Sequence, residues 1–253
     1  MTDNVTADRD RALGFALIDR HARGRLVRLG PTLDAILAAH AYPPVVERLL
    51  AEALTVTALL GAMLKDDNGQ LTLQAQTENG VVDLLVCDYR GGELRGYLKF
   101  DADRLAEMPA DPSLFALFGK GYLAITFDQP ASNERYQGIV PLEGSSIAAA
   151  VEHYFDQSEQ IPSLVRVAIS GGEGSPCVAG GMLLQHLPEG EVGRDRLHTR
   201  LDHPEWQHVE TLAGHKVTIK GEGGETVLTT DKDGVYEVYD LAPGTYEILA
   251  APM

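Results

Sequence analysis

The sequence predicts an α+β fold in which a mixed β-sheet core is layered with helices in a β/β/α arrangement. Of the 253 residues, 44% are apolar and 23% charged, a composition that can bury one substantial core. Large apolar side chains recur with a period near 3.6 over residues 44–65, which is typical of a helix. From residue 71 through the middle of the chain, apolar and polar residues alternate instead, which is typical of strands.

The N-terminal third predicts a tail, two strands and two helices. Residues 1–10 are polar and are expected to form a disordered tail. Apolar positions between residues 12 and 30 flank a basic loop at 23–25 and predict two strands. Pro31 and Pro43 then bracket a short helix. The helix at 44–65 follows and is expected to lie at the centre of the core.

The middle of the chain predicts a sheet. Residues 71–76 alternate, whereas residues 81–88 are almost wholly apolar, as in a strand that is covered on both faces. Asn79-Gly80 between them is a hairpin turn signal. Three further strands are predicted at 92–100, 121–129 and 136–144.

A helix and a hairpin complete the predicted core. The serines at 145–146 predict the cap of an amphipathic helix that ends before Pro162. Its inward positions are predicted to be Ile147, Val151, Tyr154 and Phe155. Strands at 164–170 and 178–188 flank a glycine-rich turn at 171–176.

The composition changes after this core domain, which is assigned to residues 11–188. Residues 189–213 are charged and histidine-bearing, with sparse apolar positions, and predict a helical linker. Residues 214–253 alternate again and predict a small antiparallel β segment of four strands. The strands are centred on Val217 and Ile219, Val227 and Thr229, Tyr236 and Val238, and Tyr246 and Ile248.

The charge balance argues against nucleic-acid and membrane partners. Lys and Arg number 21 against 37 Asp and Glu, so the formal net charge is −16 and the chain repels phosphate backbones. No apolar run approaches the roughly 18 residues needed to span a bilayer, and no signal-peptide pattern opens the chain. A cytoplasmic location is therefore expected.

The two cysteines predict neither a metal site nor a redox pair. Cys87 and Cys177 are far apart, so the chain contains no CxC or CxxC motif. Cys87 lies in an apolar strand and is expected to be buried. Cys177 follows a Ser-Pro turn, is expected to be exposed and is therefore the weak candidate for oxidation. His198, His203 and His208 recur every five residues, which does not match the spacing of metal ligands on a helix, and His215 lies further on. No metal or other cofactor is expected.

No catalytic constellation is identifiable. Glu152, Asp156 and Glu159 share one helical face, which could supply paired carboxylates but is ordinarily a solvated acidic face. The turn at 171–176 lacks the GK[ST] of a phosphate-binding loop. The basic cluster of Arg23, Arg25 and Arg28 could meet an anionic partner, but pairing with local carboxylates is the simpler interpretation; the chain is not expected to be an enzyme.

Seven blocks, in order, resemble one known family. They are RGRLVRL at 23–29, HAYP at 40–43, LLAEALTVTALL at 49–60, LKDDNGQLTLQAQ at 64–76, ELRGY at 93–97, YQGIVPLEGSSIAAAVEHYFDQSEQIP at 136–162 and AGGMLLQHLP at 179–188. Over residues 12–212 the chain resembles the heat-shock protein 33 family of redox-regulated chaperones. The resemblance implies a cytosolic, ATP-independent holdase that binds unfolding proteins through apolar surface, often as a domain-swapped dimer.

The C-terminal part departs from that family. The resemblance implies a C-terminal zinc domain with CxC and CxxC motifs, and this chain has neither, so the redox switch is expected to be absent. Residues 215–250 instead resemble part of a carboxypeptidase-regulatory-like or prealbumin-like β module, chiefly through DGVYEVYDLAPGTYEI.

The favoured hypothesis is a holdase without redox control whose partners are unfolded or misfolded proteins, with homodimerisation left open. Predicted client-binding residues lie in the linker and are Leu197, Leu201, Trp206 and Val209. The alternative is an inactive or scaffold protein that binds a partner by edge pairing of its C-terminal strands.

Overall fold

In a computed structural model, the protein is described over residues 10–17, 21–64, 68–130, 134–172, 174–187, 216–221, 224–228 and 247–251. The N-terminal strands are β1 (Arg11–Leu17) and β2 (Ala22–Leu29), followed by α1 (Pro31–Ala38) and α2 (Pro44–Gly61). The next strands are β3 (Gln70–Glu78), β4 (Val82–Arg90) and β5 (Glu93–Phe100). Two short helices follow, α3 (Ala102–Ala106) and α4 (Leu114–Phe118), and then β6 (Lys120–Gln129) and β7 (Glu134–Pro141).

The remaining elements are α5 (Ile147–Tyr154), a single π-helical turn (Phe155–Glu159), β8 (Ser163–Gly172) and β9 (Ser175–His186). Three short strands lie further on, at β10 (Lys216–Gly221), β11 (Gly224–Leu228) and β12 (Glu247–Ala251). The sheets are antiparallel, with strand orders β1-β2-β9-β8, β5-β4-β3-β6-β7 and β11-β10-β12. The α+β prediction is confirmed.

Helix α2 lies between the two large sheets. It packs on β3, β4 and β5 of the five-stranded sheet and on β2, β8 and β9 of the four-stranded sheet. Every residue from Ala53 to Gly61 is buried. A helix segment without charged side chains on any side is typical of a helix enclosed in a core. The buried hydroxyls of Thr55 and Thr57 donate to the carbonyls of Ala51 and Ala53 at 2.7 Å, so neither is unsatisfied.

Arg25 lies at the C-terminal end of α2, which comes earlier than predicted. The helix ends at Gly61, not at residue 65, and the Arg25 Nε donates to the carbonyl of Ala62 at 3.1 Å. A cation at a helix C-terminus satisfies an unpaired carbonyl and is favoured by the helix dipole. Arg23 and Arg25 both lie within β2, which begins at Ala22. The prediction of a basic loop at 23–25 is therefore wrong.

Helix α5 joins the edges of the two large sheets. It packs on β7 and β8, and its first turn is bound by Ser146 Oγ, which accepts from the Ala149 amide at 3.1 Å. Glu52 of α2 also accepts from the Ala148 amide, at 2.9 Å. Burial raises the pKa of this carboxyl group, and its backbone hydrogen bonds oppose the shift.

Several local predictions need correction. Strand β4 is covered on one face only, since Asp83 is exposed and Leu84 and Val86 are half-buried, so the prediction of a doubly covered strand is wrong. Helices α3 and α4 were not predicted, because five-residue helices show little periodicity. Asp10, assigned to the tail, accepts from the amides of Gly30 and Thr32 at 2.6 and 2.9 Å at the start of α1.

The predicted linker and part of the C-terminal segment lie outside the described residues. This holds for residues 189–213, for the remainder of the predicted tail and for the strand predicted around Tyr236 and Val238. The other three C-terminal strands are present as β10, β11 and β12. Within the described parts of the chain, no helix has the length and apolarity needed to cross a lipid bilayer.

We predict that Gly138→Ala destabilises the protein by about 1–3 kcal/mol, because a Cβ at this position of β7 would overlap the Tyr154 ring of α5. Gly180→Ala is the matched control, since nothing lies within 4 Å of its Cβ position; its stability should be unchanged or rise by up to about 1 kcal/mol. Urea unfolding of both variants measures the difference, and equal midpoints would contradict the packing of α5 on β7.

Candidate functional site

A second apolar cluster lies on the face of the four-stranded sheet that points away from α2. Leu164, Met182 and Leu184 are its buried members, and Phe15 and Leu26 pack against them as half-buried members. We call these five residues the outer cluster. They are separate from the main core, which contains the α2 side chains and the inward residues of both large sheets.

The strand register places the outer cluster on one face. Leu26 pairs with Met182, and Leu184 pairs with both Gly24 and Leu164. Because side chains alternate between the two faces of a sheet, the intervening residues Val27, Leu183 and Val165 point to α2 instead. Helices α1, α2 and α5 are the described helices that pack on this sheet. They pack on its inner face, where their side chains join the main core.

Phe15 reaches the cluster across a glycine. In the β1–β2 pair, Phe15 lies opposite Gly24, and a Cβ on Gly24 would overlap the Phe15 ring. The tip of the ring therefore lies over Gly24, and Phe15 extends the apolar surface from β2 to the edge strand β1. Any larger residue at position 24 would displace it.

An ion pair lies at one edge of the outer cluster. Arg166 follows the cluster on β8, and its guanidinium lies 2.5 Å from Glu152 of α5. The same Glu152 oxygen accepts from the Val165 amide at 2.6 Å, so an outward backbone group of edge strand β8 is satisfied. The opposite boundary is the end of β9 at His186, from which the chain continues into the predicted linker.

The predicted acidic face is therefore not simply solvated. Glu152 is engaged with β8, and Glu159 Oε1 accepts from the Tyr154 hydroxyl at 2.6 Å. Burial and this carboxylate raise the pKa of Tyr154. Asp156 is half-buried in the π-helical turn and accepts from the side-chain amide of Gln157 at 3.3 Å.

Two arginines of the predicted basic cluster, Arg23 and Arg25, donate hydrogen bonds to uncharged acceptors. Arg23 Nε donates to the side-chain oxygen of Gln185 at 3.2 Å, and Arg25 donates to the carbonyls of Ala62 and Gly24. Burial, and secondarily the charge of Arg25, lowers the pKa of Arg23. The expectation that these arginines pair with local carboxylates is thus wrong for Arg23 and Arg25, whose described acceptors are uncharged.

Both cysteines are buried in the core. Cys87 of β4 is fully buried and Cys177 of β9 is 4% exposed, so the prediction that Cys177 is exposed is wrong. The Ser-Pro turn preceding Cys177 is already part of β9, whose amide at Cys177 donates to Asp34 at 2.7 Å. Burial raises the pKa of both thiols, and nearby carboxylates raise them further: Asp88 for Cys87, and Asp34 and Glu47 for Cys177.

The zinc site that the family resemblance implies does not fit these residues. A four-sulfur site needs thiolates at short spacing, whereas the two cysteines of this chain lie in different sheets and are held as neutral thiols. Among the described residues, no group of three or more His, Cys, Asp or Glu side chains could hold a metal ion.

The linker residues predicted to bind clients, Leu197, Leu201, Trp206 and Val209, lie outside the described residues, as do the histidines of that region. The outer cluster was missed by sequence reasoning. Its signal was the alternation of Leu13, Phe15 and Leu17 in β1. That alternation shows that one face of the strand is apolar but does not show whether the face meets α2 or points away from it.

Comparison with known proteins identifies relatives along most of the chain. The family described as Hsp33 protein matches residues 10–239, which includes the first part of the predicted C-terminal segment. The 33 kDa chaperonin of Caulobacter vibrioides is 39% identical over 210 residues, covering 80% of this chain and 67% of that protein. The 33 kDa chaperonin of Yersinia pestis is 39% identical over 233 residues, covering 92% and 73%.

A solved structure shares the fold. The crystal structure of the 33 kDa chaperonin from Thermotoga maritima matches with a TM-score of 0.60 and covers 94% of each chain. Its sequence identity is 18%, so this likeness concerns the arrangement of helices and strands.

We predict that neither thiol reacts quickly in the folded protein, because each is buried and has a raised pKa. With an aromatic disulfide reagent at pH 8, native protein should release the coloured thiolate at least about tenfold more slowly than free cysteine. In guanidinium chloride both thiols should react at once. Rapid reaction of one thiol in the native protein would contradict the burial of that residue.

Proposed function

This chain belongs to the Hsp33 family, and from that membership we propose that it is a cytoplasmic, ATP-independent holdase that binds unfolding proteins through the outer cluster. The relatives carry the name chaperonin, which supports a chaperone function. The finer features, namely the holdase mode, independence of ATP and the binding surface, are part of the proposal.

The position of the outer cluster is the observation that carries this proposal. It is an apolar sheet surface that the main core does not use; its accessible part is formed by the half-buried Phe15 and Leu26, and it includes strand β9, from which the predicted linker departs. Unfolding proteins expose apolar side chains, and burying apolar area contributes about 25 cal/mol per Å² whatever the sequence that is bound. A sheet face of this kind binds many clients without a shaped pocket.

The half-buried members define where a client would bind first. Leu164, Met182 and Leu184 are each 6% exposed, whereas Phe15 and Leu26 retain more accessible surface. We place the initial contact on Phe15 and Leu26, with linker residues Leu197, Leu201, Trp206 and Val209 supplying further apolar contacts.

We further propose that binding is not controlled by zinc or by oxidation and requires no catalysis. The two thiols are buried and protonated and cannot form a four-sulfur site. The carboxylates considered as acid-base groups are engaged in structural contacts. The sequence contains no GK[ST] motif that would hold nucleotide phosphates.

We predict that the protein suppresses aggregation of a thermally unfolding client equally in dithiothreitol and in peroxide, and without bound zinc. Light scattering of the client measures suppression, and metal analysis is made on the same sample. A requirement for peroxide would contradict the absence of redox control. Suppression under neither condition would reject the holdase and favour the scaffold alternative.

We predict that the double variant Phe15→Gln/Leu26→Gln needs at least about fivefold more protein for half-suppression, because it removes two apolar contacts from the outer cluster. Phe115→Gln is the matched control: Phe115 is 63% exposed on α4, away from the four-stranded sheet. Thermal unfolding checks that the double variant is folded. If Phe115→Gln were equally damaging, binding would depend on general surface apolarity and not on this face.

A further inference from the structure

Strand β5 lies at one end of the five-stranded sheet, where it pairs with β4 alone. In an antiparallel strand, the N–H and C=O groups of successive residues point alternately to the two sides of the strand. Tyr42 identifies the residues that point away from β4, because its hydroxyl donates to the Leu98 carbonyl and accepts from the Leu98 amide, both at 3.0 Å. The backbone groups of Leu94 and Gly96 therefore point outward as well.

The outward groups of Leu94 and Gly96 differ from those of Leu98 in having no protein partner. In the described part of the chain, neither residue makes a hydrogen bond beyond the ladder between β4 and β5. Both residues are half-buried, so their two donors and two acceptors face solvent with the spacing of a strand ladder. We call these four backbone groups the open edge. Unpaired groups in this arrangement form a template for another extended chain.

The cations of β5 do not protect the open edge. Edge strands commonly carry a lysine or a proline that hinders pairing with another chain. β5 contains no proline, and its two cations are directed towards β4. Lys99 Nζ lies 3.1 Å from Asp83, and Arg95 Nε lies 2.9 Å from Asp88, both carboxylates of β4. These ion pairs hold the long side chains over the sheet and leave the backbone edge accessible.

The turn between α1 and α2 closes one end of the open edge. The His40 ring lies 5.6 Å from the Tyr97 ring, and the Tyr42 ring lies 6.3 Å from the Phe100 ring, between centroids. Tyr97 and Phe100 point to opposite faces of β5, so the turn wraps around the strand at Leu98. An added strand can therefore pair along the open edge but must end before Leu98.

Helix α2 holds the open edge in place. A Cβ on Gly96 would lie 2.9 Å from the Leu54 side chain and 3.0 Å from that of Leu50, so β5 packs directly on the helix at this glycine. A backbone that is already fixed in a strand loses little conformational freedom when a partner pairs with it.

The chemistry of the open edge selects an extended chain with free backbone groups. Strand addition recognises N–H and C=O groups and tolerates many side-chain sequences. Folded proteins pair these groups internally, whereas an unfolding protein presents segments in which they are free.

We propose that the open edge, formed by the backbone of Leu94 and Gly96, binds an extended segment of an unfolding polypeptide by strand addition to β5. This inference rests on the proposed function, because it assigns a second contact to the same clients. The outer cluster offers apolar contacts on the four-stranded sheet, and the open edge offers backbone hydrogen bonds on the five-stranded sheet.

Two capped peptides of about six residues, a common strand length, test whether backbone hydrogen bonds hold the segment. Both have the same alternating Thr and Val sequence and two N-methyl groups. In the first peptide the methylated residues are two apart, so one edge is blocked and the other is free for β5. In the second they are consecutive, so both edges are blocked.

Fluorescence anisotropy with the full chain should give a dissociation constant at least about fivefold lower for the first peptide, because only this peptide keeps the backbone donors of one edge. Equal constants for the two peptides would overturn the proposal, since side-chain contacts would then account for binding.

Amide hydrogen exchange locates the contact on the protein. Saturation with the first peptide should slow exchange at Leu94 and Gly96 at least about tenfold and leave Arg95 and Tyr97, which pair with β4, unchanged. Slow exchange at Leu94 and Gly96 in the peptide-free protein would overturn the proposal, because another part of the chain or a second copy would already cover the edge.

A matched pair of variants isolates one outward donor. Leu94→Pro removes the N–H together with the leucine side chain, whereas Leu94→Ala removes the side chain alone. Proline is tolerated at an edge position whose N–H faces solvent, and thermal unfolding checks that both variants are folded. Leu94→Pro should bind the first peptide at least about threefold more weakly than Leu94→Ala, and equal binding by the folded variants would contradict strand addition.

Peptide binding and suppression of client aggregation are measured separately, so the two proposals can fail separately. A chain that suppresses aggregation but does not distinguish the two peptides is a holdase without strand addition, which rejects the open edge. A chain that distinguishes the peptides but does not suppress aggregation supports the open edge as a peptide-binding site and rejects the holdase.

Discussion

The burial of α2 between two antiparallel sheets is the constraint on which the rest of this structure depends. Because residues 53–61 of this helix bear no charged side chain on any side, this half is stable only when covered on all sides, and one sheet cannot do this. The four-stranded and five-stranded sheets each cover part of it. Arg25 of β2 donates to the Ala62 carbonyl at the end of α2, and Glu52 of α2 accepts from the Ala148 amide in the first turn of α5.

This arrangement leaves each sheet with one face in the core and one face outside it. The outer side of the four-stranded sheet bears a compact apolar cluster beside the end of β9, whereas that of the five-stranded sheet is half apolar and half charged. An apolar cluster of this kind can contact apolar segments of any sequence.

The packing of the two sheets on α2 also determines the environment of both cysteines. The inward faces of β4 and β9 meet α2 and α1, so a thiol on either strand is removed from water regardless of the turn that precedes it. Burial favours the neutral form of a thiol, and the neighbouring carboxylates Asp34, Glu47 and Asp88 act in the same direction. A chain with this arrangement has no exposed thiolate among its described residues with which to sense oxidants.

The sequence by itself determined the elements of the core. The period of 44–65 identified α2, and the alternation in β3, β5 and β6 identified strands, because these signals are local and strong. The resemblance of seven sequence blocks to one family was also sufficient to predict the family that comparison then showed.

Tertiary structure alone decided which faces of those elements are buried and which are available. Alternation in β1 could not show that Phe15 points away from α2, and the apolar run of β4 could not show that one side is uncovered. The burial of Cys177 likewise depended on its packing beside α1, which is distant in sequence. The physical reason is that periodicity specifies the two sides of a strand, whereas pairing between distant strands and packing on α2 specify which side meets the core.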